Sequence, residues 1–99
     1  MKVPFETMIT DFDGTVLKMD GKDMTLKSLS VAALGAQFPD ERDLKGEEKI
    51  KRFDLALRIY QGVDDLKVEE IALIKSLVAK AFSVVVVGRA WKLLEGEAA

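Results

Sequence analysis

The hydrophobic residues of this chain change period once, near Thr25, and that change predicts the architecture. Before it, residues 3–24 run in short, mixed or alternating stretches broken by Asp13-Gly14 and Asp20-Gly21. This pattern predicts a small β-ribbon turning at those two pairs, because glycine accepts the positive φ of a tight turn. After it the period is 3.6. Thr25 is placed to cap a first helix, with Leu26, Leu29, Ala33 and Ala36 on one stripe. That helix should stop by Phe38, since Pro39 disfavours helix in the residue before it. Residues 39–45 read as a polar connection.

A second helix is expected from Gly46. Glu47 and Glu48 lie at the positive end of its dipole, and Ile50, Phe53, Leu57 and Tyr60 form its main apolar stripe. Glu47/Lys51, Glu48/Arg52 and Asp54/Arg58 are i,i+4 pairs of a solvated face. Gly62 ends this helix, and Asp64 or Asp65 can cap a third. Its inner face would be Ile71, Ile74, Val78, Ala81 and Phe82, broadened by Leu73 and Leu77. Val84 to Val87 favour a strand by propensity, yet Val87, Ala90, Trp91 and Leu94 have helical spacing. A fourth helix is therefore expected over 85–95, stopped by Gly96, with a tail at 96–99 that should fray. The fold class that follows is mostly α with a small N-terminal β-hairpin (α+β), about four helices packed as a compact bundle in a single domain, 1–99.

Composition narrows what such a domain can do. The 99 residues are 48% hydrophobic, enough for a modest core, and the net charge is −2. With 15 basic against 17 acidic residues, nucleic acid is not an expected partner. The absence of cysteine removes disulfides and thiolate metal sites, and the absence of histidine removes the commonest general base and metal ligand. No cofactor is expected. No apolar stretch approaches the roughly 20 residues of a membrane span, and the start has no signal-peptide core. A cytoplasmic protein is the simplest reading.

One string could name a reaction. Asp11-Phe12-Asp13-Gly14-Thr15 spells D-x-D-G-T, which resembles the signature of the haloacid-dehalogenase phosphatases. The resemblance implies a nucleophilic Asp11, a general acid–base Asp13 and Mg²⁺. A nucleophile of that kind sits at the end of a parallel strand buried on both faces, which reads as a continuous apolar run. Phe5 to Thr10 is no such run, and no second-strand Ser/Thr or phosphate-steadying Lys is found. The late pair Asp64-Asp65 reads as a helix-to-helix turn. The string is therefore expected to be a catalytically inert hairpin turn.

The helices joined near Phe82-Ser83 also suggest a helix-turn-helix, but Val85 to Trp91 offers valines and a single Arg89 where base-reading polar side chains are needed. Valines at 84–87 cover every side of a helix in a small domain. Self-association is therefore expected, most simply as a two-fold dimer, with Val84, Val85, Val87 and Trp91 as candidate interface. Finally, Thr25–Leu29 through Ala32–Leu34, Leu55–Tyr60, Glu69–Lys75 and Val86–Glu95 resemble small helical proteins encoded in tailed-phage and prophage genomes. The similarity spans residues 12–95, although Lys67 stands where a capping Thr or Ser is expected. It implies a phage setting, a host-cytoplasm location and a non-enzymatic role in assembly or host take-over through a protein partner. It supplies no site residues.

Overall fold

The computed structural model describes residues 1–96. A two-stranded antiparallel sheet, β1 (Lys18–Met19) and β2 (Lys22–Asp23), is followed by helices α1 (Leu26–Gly35), α2 (Gly46–Tyr60), α3 (Val68–Ala81) and α4 (Val84–Leu94). This is the expected α+β class with four helices. The turn at Asp20-Gly21 joins the strands, and both residues have positive φ. The expected second turn lies between the bridged residues Thr10 and Val16. Three short segments close on one another here. The Ile9 amide donates to the Met24 carbonyl, the Leu17 amide to Ile9, and the Met24 amide to Leu17, all within 2.9 Å.

The ribbon is shorter than expected, because residues 3–7 turn instead of extending. The Thr7 amide donates to the Pro4 carbonyl, and the turn leaves the carbonyls of Phe5 and Thr7 facing the start of α1. There they accept from the Lys27 and Leu26 amides at 2.8 and 2.9 Å. Thr25 supplies the next acceptor, its hydroxyl taking the Ser28 amide while the Ser28 hydroxyl takes the Thr25 amide. The orphan donors at the start of the helix are thus met by Phe5, Thr7, Thr25 and the Ser28 hydroxyl. Helix α1 stops at Gly35, ahead of Pro39, and Pro39–Glu41 forms one 3-10 turn.

Helix α1 is the centre of the molecule. Helix α2 packs on one side of it and α3 on the other, while α4 packs on α3. Leu26, Leu29, Ala33 and Leu34 of α1 are buried between them, along with Leu55 and Ile59 of α2 and Ile71, Ile74, Leu77 and Val78 of α3. Helix α3 begins later than expected. Neither Asp64 nor Asp65 caps it; Lys67 is the cap residue, and its amide donates to the Glu70 carboxylate at 2.9 Å. Asp65 is drawn off by the Met1 ammonium at 2.9 Å. Ala81, placed on the inner face by its spacing, is exposed at the last turn.

The valine run is helical, starting one residue earlier than expected. Val86, Ala90, Leu93 and Leu94 are buried at i, i+4, i+7 and i+8 spacing, and this packing outweighs β-branched propensity. The Gly96 amide donates to the Leu93 carbonyl and closes the helix. The rest of the tail, 97–99, lies outside the described residues.

Candidate functional site: an apolar groove along the second helix

Helix α2 contradicts the stripe that its spacing suggests. Ile50, Phe53, Leu57 and Tyr60 are 61%, 63%, 41% and 67% exposed. The inward face is Leu55, Ile59 and Arg52 instead. The sequence supports two stripes because apolar residues occupy both 50, 53, 57, 60 and 55, 56, 59. One helix neighbour, α1, can cover only one of them. The 55/59 set is the buried one, and Arg52 on the same side of the helix meets a partner.

That partner is Glu41. The 3-10 turn presents its carboxylate to Arg52 in a bidentate pair, at 2.7 and 2.6 Å. Both side chains are nearly out of water, so Arg52 is no part of a solvated i,i+4 face; its other acid, Glu48, lies at 3.8 Å. The hydrogen bonds from Arg52 hold the Glu41 carboxyl down to about 2 against the opposing effect of burial, and Lys80 adds to the lowering. Lys80 of α3 reaches Glu41 at 3.3 Å and Asp40 at 3.1 Å, and its ammonium lies 5.2 Å from the centre of the Phe38 ring. The loop after α1 is thereby pinned to both α2 and α3.

Pinning this loop away from the outer side of α2 leaves a groove of about 850 Å³ between them. Val31, Leu34 and Ala56 line it from α1 and α2, Phe38, Pro39 and Leu44 from the loop, and Phe53, Leu57 and Tyr60 from the exposed stripe. Tyr60 is partly covered by the Lys27 ammonium, 5.6 Å from the ring centre. Of the four charged lining residues, Glu41 and Arg52 neutralise each other. Arg42 and Lys49, both exposed, make no ion pair among the described residues. The groove is thus apolar inside and cationic at its rim. Phe38, Leu44 and the Glu41–Arg52 pair escaped sequence reasoning. The only available signal was the surplus of apolar positions on α2.

The residues singled out from sequence lie elsewhere. Asp11 to Thr15 form an exposed turn in which the Asp13 carboxylate accepts from the Thr15 amide and the Asp11 carboxylate from the Phe12 amide, at 3.0 and 2.7 Å. The Thr15 hydrogen bonds hold the Asp13 carboxyl below its usual range. Among the described residues, no group of three or more acidic side chains converges to hold a metal. Arg89, the one arginine of α4, donates to the carbonyls of Thr10 and Asp11 at 3.2 and 3.0 Å. It is committed to holding this turn.

On α4, Val84 is 84% exposed, whereas Val85 and Val87 are half-buried against the core. The Trp91 indole N–H donates to the Lys75 carbonyl at 3.1 Å, and the Lys75 ammonium sits 4.5 Å from a Trp91 ring centre. Of the four candidate interface residues, Val84 stands apart from the packing, Val85 and Val87 lean on the core, and Trp91 is held to α3 through Lys75. No helix among the described residues is long and apolar enough to cross a membrane. Comparison with protein-family models, with curated proteins and with solved structures gave no match.

Proposed function

We propose that this chain is a non-enzymatic interaction protein that holds another protein against the outward face of α2 and the groove beside it. The observation that carries this reading is the apolar stripe Ile50, Phe53, Leu57 and Tyr60, left in water on a helix whose opposite face is already in the core. Contiguous exposed apolar surface is costly to maintain in a monomer and marks interaction sites. Aromatic side chains such as Phe53 and Tyr60 are the types enriched at protein contacts. A role in phage assembly or host take-over rests on the sequence resemblance alone.

The reading is tested by a photo-crosslinking amino acid placed at position 53 or, in a second variant, at position 84 of α4. Irradiation in the expressing cell should give discrete protein adducts from position 53 and few from position 84. Adducts from position 84 alone would move the contact to α4. An absence of adducts from both would overturn the reading.

A further inference from the structure

Resting on that reading, we infer that the groove takes an amphipathic helix of a partner protein, with acidic residues flanking its apolar face. The mode of binding follows from the walls. They are built by two helices and the pinned loop, and no strand edge lines them, so an extended peptide has no ladder of backbone groups to join. Phe53, Leu57 and Tyr60 recur at helical spacing along α2, whose 15 residues span about 22 Å. Such ridges are matched by the side-chain rows of a second helix lying alongside.

The rim charge selects the class of helix. Arg42 lines the groove from the loop and Lys49 from α2, and Glu41, the one acid among its lining residues, is taken by Arg52 and Lys80. A helix bearing lysines at its flanks would meet like charge, whereas glutamates would meet two cations that make no ion pair among the described residues. A second copy of this chain fits poorly by the same rule. Its large exposed apolar helix face is α2 itself, which would bring Glu47 and Asp54 together with Lys49 and Lys51, a mixed flank instead of an acidic one, to a rim that carries Arg42 and Lys49. An anionic lipid surface matches the charge but not the shape, since a bilayer plane cannot fill a concave groove.

The test uses two fluorescein-labelled peptides of roughly 18 residues, about five helical turns. Both carry Leu and Trp along one face, with Glu and Ala on the rest of one and Lys and Ala on the rest of the other. Titrated with the full chain at low salt and followed by anisotropy, the Glu peptide should bind at least about tenfold tighter, a difference near 1.4 kcal/mol. Phe53→Asp/Tyr60→Asp should abolish binding of either peptide, and Arg42→Glu/Lys49→Glu should reverse the preference, with folding checked by circular dichroism.

Equal or better binding of the Lys peptide, or an unreversed preference, overturns the acidic class. In that case loss of binding in Phe53→Asp/Tyr60→Asp still supports the groove as a contact surface. If neither peptide binds while position 53 crosslinks in cells, this inference falls alone; if crosslinks are absent too, both readings fall. A dimer abolished by Phe53→Asp/Tyr60→Asp, or tighter association with phosphatidylglycerol vesicles than with the Glu peptide, would likewise overturn it in favour of a second copy or a lipid surface.

Discussion

Helix α4 is apolar on nearly every side and yet is settled into the fold. Val86, Ala90, Leu93 and Leu94 are buried, Trp91 donates to α3, and Arg89 ties the helix to the N-terminal turn. Helix α2 carries many more charges and yet shows water four large apolar side chains. The difference lies in neighbours. Helix α4 has α3 on one flank and the Asp11 turn at another, whereas among the helices α2 packs mainly on α1. Apolar content says that a face must be covered. It does not say whether this chain or another covers it.

The largest expected effect separates the two helices by stability. Leu94→Ala removes a fully buried side chain and should cost about 2–5 kcal/mol, read as a lower midpoint in urea. Leu57→Ala, on the open face of α2, should stay within about 1 kcal/mol. Equal losses would break the comparison.

The next effect concerns how the inward side of α2 is held. Arg52→Ala leaves the Glu41 carboxylate nearly buried without its fork and should cost about 3 kcal/mol at neutral pH. The pH dependence has a definite sign. Glu41 is lowered in the folded state from 4.5 to about 2, so its contribution is complete above about 4.5 and is lost as pH falls toward 2. Stability of the parent chain should therefore fall through that window more steeply than stability of Arg52→Ala. Parallel pH profiles would show that the pair does not anchor the groove wall.

A smaller loss is expected on α4. Trp91→Phe forfeits the hydrogen bond to the Lys75 carbonyl and should cost about 1 kcal/mol, with no change of mass in light scattering. Val84→Asp asks the complementary question. A dimer that dissociates in this variant would restore α4 as a self-association surface and weaken the contrast with α2.

Asp11→Asn and Asp13→Asn should have the smallest effect, leaving the thermal midpoint near that of the parent. Release of p-nitrophenol from its phosphate ester should be absent with Mg²⁺. Mg²⁺-dependent release that either variant abolishes would make the turn a phosphatase site after all.

Much of the fold was legible because local signals agreed with one another. Thr25 followed by Leu26 and Leu29, the breaks at Pro39 and Gly62, and the Asp20-Gly21 turn each carry a backbone reason within a few residues. What was not legible depended on contacts distant in sequence. The turn at residues 3–7 is held by carbonyls reaching Leu26 and Lys27, and Asp65 pairs with the Met1 ammonium while α3 starts from Lys67. The buried stripe on α2 is the one that carries Arg52 to Glu41, 11 residues away in the chain, and periodicity alone does not rank the two stripes. The groove was hidden for the same reason, since it exists only once the loop of residues 38–44 is pinned against α2 and α3.

The most direct test of the outward stripe is the thermal midpoint of Phe53→Ser/Leu57→Ser/Tyr60→Ser, measured by circular dichroism beside the parent chain. Three large apolar residues replaced by serine in a core would unfold a domain of this size, at about 3–5 kcal/mol for each such aromatic lost. On an interaction surface, the same change costs only the partial packing that these side chains keep on the groove floor. A helical spectrum and a midpoint within a few degrees of the parent are expected, and a photo-crosslinking amino acid at position 50 of α2 should give adducts in the parent chain and none in this variant. A collapse of the helical signal at room temperature would contradict this and return the stripe to the core.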